Sequence, residues 1–451
     1  MSSDLGTALE RVYGEDASML AAQLDRYRRG LESFVAHYGP GPVSVFRAPG
    51  RVNLIGEHTD YNHGYVLPMA LDKDVLVFAR ARQDHRVHLV NVESEFDERT
   101  FDIAGDIPPK PIGDWANYAQ GPAQLLEREC GPGLRGYDAL VDGAPPFGVP
   151  RGAGLSSSSA LTVAHAITLL GLNGIELPGP ELADKCGRAE WYVGTRGGIM
   201  DQFIALLAQQ GHALFLDCRP SDSEYHYCQV SIPTGYAILV VDSGVRHTNT
   251  GPLFNRRVAE GRIGVRLLQR RYAGITHLRD LERVPWEEIE PLLPEVIRTP
   301  ELLAQGIDPE TILDRGVSPQ TDTFFVRRRC RHVITENHRV LDMVQALESG
   351  DMARAGELLR QAHASARDDY EISTPEIEAL VELANGMPGV VGTRLTGAGW
   401  GGCIVVVIAA EAVARFEQPV VETYHRQCGQ QARVFVCQSA AGAGRAYTTH
   451  L

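Results

Sequence analysis

The stretch Pro150-Arg151-Gly152-Ala153-Gly154-Leu155-Ser156-Ser157-Ser158-Ser159-Ala160-Leu161 sets two glycines and four consecutive serines directly ahead of a helical spacing. Leu161, Ala164, Ile167 and Thr168 fall on one helix face. Glycines let backbone N–H groups approach an anion closely. A helix N-terminus adds unpaired donors and a partial positive charge. Serine hydroxyls add further donors, and one can ligate Mg²⁺. A serine-rich N-cap would explain one of these residues, but four exceed what a cap needs. The stretch therefore reads as a phosphate cradle. It is not a Walker A loop, because no G-x-x-x-x-G-K-[ST] occurs in the chain. Protein-kinase elements of the V-A-I-K, H-R-D and D-F-G type are also absent from the sequence.

Three further segments carry ionisable groups or clustered glycines. In Arg47-Ala48-Pro49-Gly50-Arg51-Val52-Asn53-Leu54-Ile55-Gly56-Glu57-His58-Thr59-Asp60-Tyr61-Asn62, an apolar strand is expected to break into a turn at Pro49-Gly50. Arg51, Glu57, His58 and Asp60 follow on one loop. Carboxylates and imidazole suit a polyhydroxylated ligand, and an arginine suits a phosphate. Equally, such a loop can be a solvated turn. In Glu190-Trp191-Tyr192-Val193-Gly194-Thr195-Arg196-Gly197-Gly198-Ile199-Met200-Asp201-Gln202, two carboxylates flank a glycine-rich turn. Asp201 precedes an apolar helix, where the helix dipole stabilises an anion; a plain capping role would look the same. Arg394-Leu395-Thr396-Gly397-Ala398-Gly399-Trp400-Gly401-Gly402-Cys403 holds four glycines ahead of a strand, which implies backbone close to something or positive φ.

Around these segments the chain alternates in an α+β order. An amphipathic helix is expected from Ala17 to Tyr38. Strands follow at Val43–Arg47, Asp74–Arg80, His85–Val92 and Tyr137–Val141, then helices at Ala160–Leu170, Leu182–Val193 and Ile199–Leu207. Tyr236–Asp242 is a buried strand, residues 255–350 are polar and helix-rich, and strands return at Gly401–Ile408 and Arg433–Cys437. At 451 residues, two or three domains are expected. The division expected is an N-terminal domain over 1–215 and a C-terminal domain over 216–451.

Composition bounds the function classes. Hydrophobic residues make up 44% and charged residues 22%, so a packed core needs no staples. A net charge of −14 argues against sequence-independent binding to nucleic acid or anionic membranes. The longest apolar run, Cys403–Ala410, is far short of the ~20 residues of a spanning helix. No secretory signal is visible at the start, and no C-x-x-C occurs among the eight cysteines. A reducing cytoplasmic location is expected.

Taken together, the four segments resemble the GHMP kinase superfamily and, within it, the galactokinase family. Residues 50–61 resemble the signature G-R-x-N-L-I-G-E-H-x-D-Y, and residues 150–158 the P-x-x-x-G-L-S-S-S phosphate loop. Residues 395–403 resemble the third motif, L-T-G-A-G-x-G-G-C. Trp115-Ala116-Asn117-Tyr118 and Arg367-Asp368-Asp369-Tyr370-Glu371-Ile372-Ser373 also resemble the family.

The resemblance implies a two-domain GHMP kinase fold with mixed sheets flanked by helices and an active site in the interdomain cleft. It implies transfer of the ATP γ-phosphoryl group to the anomeric hydroxyl of galactose, with Mg²⁺ as cofactor. On this basis Asp201 is the catalytic aspartate and Arg51 the arginine beside it. Glu57, His58 and Asp60 are sugar ligands, with Gly198 near the sugar. Gly152, Ala153, Gly154, Leu155, Ser156, Ser157 and Ser158 cradle the phosphates, Ser158 and Glu190 ligate Mg²⁺, and Trp115 lies near the adenine. The partners implied are a sugar and ATP, with no nucleic acid or membrane, and the chain is expected as a monomer or weak dimer.

Some details depart from many bacterial members. The loop Gly-Leu-Ser-Ser-Ser-Ser-Ala-Leu, the helix before Asp201 and the segment Trp286–Pro319 resemble the eukaryotic branch that contains N-acetylgalactosamine kinase. Phe254 stands where many galactokinases place a sugar-contacting tyrosine. This removes a hydrogen bond of about 0.5–1.5 kcal/mol and could leave room for a 2-substituent. An N-acetylgalactosamine 1-kinase is therefore the first alternative, and a non-catalytic galactose and ATP sensor the second. Sensors typically disrupt the serine loop, which is intact here. The superfamily's decarboxylase branch lacks the Gly-Glu-His-Thr-Asp signature.

Overall fold

The computed structural model describes residues 2–193, 197–221, 224–246, 251–312 and 321–451. The chain forms two compact units. One comprises Met1–Val52, Pro68–Leu214 and Cys437–Leu451, and the other Asn53–Leu67 and Phe215–Val436. The path crosses between units four times, where the sequence suggested a single cut at 215/216. Residues 53–67 belong with the second unit because their backbone is satisfied there. Asn53 N donates to Thr396 Oγ1 (3.3 Å), Gly56 N to Glu336 Oε1 (2.9 Å) and Tyr65 N to Asn337 Oδ1 (2.9 Å). The motif read as one loop is thus divided: Arg51 lies in the first unit, and Glu57, His58 and Asp60 in the second.

The first unit is built on a six-stranded mixed sheet. Its order is Gly444–His450, Pro42–Asn53, Pro68–Ala81, Tyr137–Asp142, Arg86–Asn91, Arg99–Asp102. Arg86–Asn91 runs parallel to Tyr137–Asp142, and the other described pairings are antiparallel. The strand expected to end in a turn at Pro49-Gly50 instead continues to Asn53. Local turn chemistry loses here to a long-range partner, since Arg51 N donates to Leu155 O (3.1 Å). Gly50 permits this approach. A Cβ there would lie 2.8 Å from Leu155 O and 2.6 Å from the Val149 side chain.

Helix Ala17–Tyr38 starts at Asp16, whose carboxylate accepts from Met19 N (2.8 Å), and ends at Gly39, with φ at 75°. It is pinned to the sheet by a buried polar cluster. Arg26 and Arg47 both donate to Asp74 (2.6 and 2.5 Å), as does Tyr13 (2.7 Å), and Arg26 also reaches Asp142 (2.9 Å). Three further helices, Ser157–Leu172, Gly179–Ala189 and Met200–Leu207, complete the surroundings of the serine loop.

The second unit holds a four-stranded sheet in the order Val390–Thr396, Cys403–Ala409, Tyr236–Asp242, Arg433–Cys437. Cys403–Ala409 pairs antiparallel with Tyr236–Asp242 from Cys403↔Asp242 to Ala409↔Tyr236. Its run of Val and Ile is almost wholly buried, as expected of a central strand. Helices Gly251–Leu268, Val326–Ser349, Met352–Asp368, Pro375–Asn385 and Glu417–Cys428 belong to the same unit. Of the segment Trp286–Pro319, residues 286–312 form short helices and a short strand. Residues 313–319 lie outside the described residues.

Candidate active site

In the first unit, the strand end, the serine loop and helix Met200–Leu207 converge on one carboxylate. Arg51 grips Asp201 with both ends of its guanidinium, Nε to Oδ1 (2.7 Å) and Nη2 to Oδ2 (3.0 Å). Its remaining nitrogen, Nη1, donates to Gly154 O (2.5 Å). The Ser156 hydroxyl also donates to Asp201 Oδ2. Asp201 sits in the first turn of its helix, with its side chain 25% exposed. A carboxylate offers about four lone-pair directions. Three are taken, and the free one is on Oδ1.

The serine loop achieves this through left-handed backbone. Gly152 and Gly154 have φ of 67° and 76°, and Ser156 has φ of 58°. The last is unusual for a side-chain-bearing residue and is the kind of strain that collects at functional sites. It turns the Ser156 hydroxyl toward Asp201 and away from capping the helix. Helix Ser157–Leu172 then begins with Ser157, Ser158 and Ser159, whose N–H groups precede the first intrahelical bond, from Ala160 N to Ser156 O. Ala153 and Leu155 are buried and hold the loop down, while Gly152 is exposed and Ser157 and Ser158 are half-buried.

Glu190 lies at the start of the 3-10 turn Glu190–Val193, buried, and accepts from Gln202 Nε2 (2.8 Å). Burial pushes its carboxyl up to about 7; the nearby Asp201 charge adds to this, while bonds to Ser159 and Gln202 oppose it. A buried carboxylate held by neutral donors beside a second carboxylate is a setting that a divalent cation would relieve. Among the described residues, no group of three or more His, Cys, Asp or Glu could form a cage of its own. Mg²⁺ commonly needs only one or two protein ligands plus substrate phosphates. Ser158 and Glu190 fit that pattern. Trp115 is only 6% exposed, its indole N–H donating to Asp97 O (3.1 Å) and its ring meeting Phe96 edge-on. It offers an adenine little open face. Gly198 lies just ahead of the Asp201 helix; residues 194–196 of that turn lie outside the described residues.

In the second unit, Glu57 is buried and its Oε1 accepts from Gly397 N (2.8 Å) and Arg394 Nη1 (3.3 Å). His58 has φ of 61°, and its Nε2 donates to Ala398 O (3.0 Å). Since a carbonyl only accepts, Nε2 carries the proton and Nδ1 accepts from Tyr61 Oη (2.7 Å). Burial pulls the imidazole down to about 3, so it is neutral at physiological pH. Phe254, Tyr61, Tyr370 and Trp400 surround it, with ring centroids 5.0–6.3 Å away. Asp60 opens the turn Asp60–Asn62 and is half-buried. The glycine-rich third motif thus touches Glu57 and His58 through its backbone. Gly399 is needed there: a Cβ would lie 2.6 Å from Ile372.

Known proteins share these features in the same order. Residues 32–81 match the galactokinase galactose-binding signature, residues 117–209 the GHMP kinases N terminal domain, and residues 343–424 the GHMP kinases C terminal region. The galactokinase of Roseiflexus sp. (strain RS-1) is 40% identical over 415 residues, covering 92% of this chain and 96% of the relative. The chain belongs to the galactokinase family. That of Chloroflexus aggregans is 40% identical over 419 residues, covering 92% and 97%. Among solved structures, Lactococcus lactis galactokinase complexed with galactose is 28% identical, with a TM-score of 0.78, covering 93% of this chain and all of that one. Methanococcus jannaschii mevalonate kinase, at 17% identity and a TM-score of 0.55, shares the fold. The α+β GHMP kinase fold expected from the sequence is the fold observed.

Sequence reading left some partners unassigned. Gln202 bridges Glu190 and approaches Ser159, and its only signal was its place after Asp201. Arg394, Tyr61 and Tyr370 stood inside quoted motifs without roles. Ser156 was expected at a phosphate, yet its hydroxyl faces a carboxylate.

Proposed function

We propose that the chain transfers the γ-phosphoryl group of ATP to the anomeric hydroxyl of galactose, giving galactose 1-phosphate and ADP. The observation that carries this reading is Asp201, held by the Arg51 fork and Ser156 with one lone pair on Oδ1 free. That lone pair is positioned to accept from the sugar 1-hydroxyl, orienting it and receiving its proton as the new O–P bond forms. Arg51 neutralises charge beside the transferring group, and the amides that open helix Ser157–Leu172 receive the phosphate oxygens. Family resemblance assigns Glu57, His58, Asp60 and Gly198 to the sugar and Trp115 to the adenine. Ser158 and Glu190 would hold Mg²⁺, which supplies charge neutralisation on the phosphates. The relatives named above, and the solved relative described with galactose, support galactose as the acceptor.

Phe254 packs on both His58 and Tyr61, at 5.5 and 5.3 Å. The galactokinase relatives, and the one solved with galactose, make galactose the reading preferred. Asp201 and the serine loop speak for turnover over mere sensing.

An ADP-release assay with Mg²⁺-ATP and galactose, N-acetylgalactosamine, glucose or galacturonate tests this. A galactose kcat/KM at least tenfold above the others, about 1.4 kcal/mol, is expected. A preference for N-acetylgalactosamine would overturn the acceptor assignment. Tight binding of galactose and ATP without ADP release would make the chain a sensor.

A further inference from the structure

Both nitrogens of His58 have protein partners, and the partner on Nδ1 is itself held in place. Tyr61 Oη has one proton. It gives that proton to His58 Nδ1, so it must accept from Tyr370 Oη, 2.9 Å away. The donors therefore run one way: Tyr370 to Tyr61, Tyr61 to His58, and His58 Nε2–H to Ala398 O. Each group has the single proton the chain requires, and reversing any link would leave two lone pairs facing each other.

The far end of this chain is anchored unusually firmly. Glu371, next to Tyr370, has φ of 53°, a left-handed conformation that is strained for glutamate. Three arginines hold it there. Arg328 and Arg329 bind its carboxylate, and Arg257 donates to its backbone carbonyl (3.2 Å) and to that of Tyr370 (2.6 Å). Arg257 and Arg329 are in turn paired with the buried Glu260 (3.2 and 2.8 Å). The Tyr370 ring also packs against His332 at 4.3 Å, tilted by 32°, and His332 Nε2 donates to Glu57 O (3.0 Å). A fixed backbone at 369–371 thus sets the position of the Tyr370 phenol, whose ring is buried in the core of the second unit.

We infer that Tyr61 and Tyr370 are positioning residues that fix the tautomer and ring orientation of His58, and through it the sugar-binding geometry. This rests on the proposed placement of His58 at the sugar. A neutral imidazole with Nε2–H and a saturated Nδ1 presents one defined face. Removing the Tyr61 hydroxyl leaves Nδ1 unpaired in a buried site and allows the proton to move to it, which would set Nε2 against Ala398 O.

Tyr61→Phe and Tyr370→Phe keep the rings and remove only the hydroxyls. For Tyr61→Phe, the galactose KM should rise about tenfold with the ATP KM within about twofold. Tyr370→Phe should have a smaller effect in the same direction. Histidine ring ¹⁵N spectra should show a pure Nε2–H signal for His58 in the parent protein and a mixture of tautomers in Tyr61→Phe, a change that mere loosening of the fold would not produce. An unchanged galactose KM in Tyr61→Phe, equal rises for both substrates, or an unaltered His58 tautomer would overturn the inference. Failure of the parent protein to turn over galactose would instead remove the reading on which it rests.

Discussion

Asp201 has three donors on its two oxygens, and this sets what each substitution there should do. Asp201→Asn preserves shape but turns one oxygen into a donor facing Arg51. We expect kcat to fall at least about 100-fold, with ATP binding by fluorescence titration changed less than about threefold; near-normal kcat would remove Asp201 from the chemistry. Asp60→Ala should raise the galactose KM far more than the ATP KM, and parallel rises would count against a sugar role. Ser158→Ala and Glu190→Gln should raise the Mg²⁺ concentration needed for half-maximal velocity without moving the galactose KM. An unmoved Mg²⁺ titration would withdraw both as ligands. At this scale the sequence offered residue types in motifs, but contacts only by resemblance. Arg51 and Asp201 are 150 positions apart, and no periodicity joins them. The aim of the Ser156 hydroxyl depends on a backbone angle that four identical serines do not encode.

Elements were legible where local chemistry and tertiary demand agree. Helix Ala17–Tyr38 carries its own cap and stop, and it lies where the sequence places it. Where they conflict, the local reading failed. Pro49-Gly50 spells a turn, yet Leu155 O holds the strand straight through it. Gly444–His450 alternates small and polar residues at an edge, which gives no hydrophobic period to find. The strand end also carries a prediction. Gly50→Ala would drive a methyl into Leu155 O and Val149, costing about 1–3 kcal/mol. Because Arg51 is the next residue, kcat should fall with it; a variant with unchanged kcat and unchanged Tm would contradict the close approach. Asp74→Ala would leave the buried Arg47 without a carboxylate and Arg26 with Asp142 alone, and destabilisation of about 3–5 kcal/mol is expected in chemical unfolding.

At the scale of the whole molecule, buried histidines govern the response to acid. Burial pulls His58, His165 and His332 down to about 3, 3 and 4, against about 6.5 when unfolded. Between about pH 4 and 6.5 the unfolded chain therefore binds more protons, and stability falls as pH falls. Glu190 acts in the opposite sense, losing stability as pH rises from about 4.5 to about 7. With His277 also pulled down to about 4, these histidines outweigh Glu190, so unfolding takes up protons near pH 5.5 and stability falls as the pH falls. The Tm should drop clearly from pH 7 to pH 5, and a flat profile would refute this balance.

The pairing of Gly444–His450 with Pro42–Asn53 has a consequence for how the protein is made. The later strand leaves the ribosome roughly 400 residues after its partner, which at about 5–20 residues per second is a wait of about 20–80 s. Through that interval the edge of Pro42–Asn53 offers unmatched peptide groups to any passing nascent chain. A holdase that shields this edge during synthesis should raise the yield of active enzyme. A shield that acts only after the chain is released comes too late.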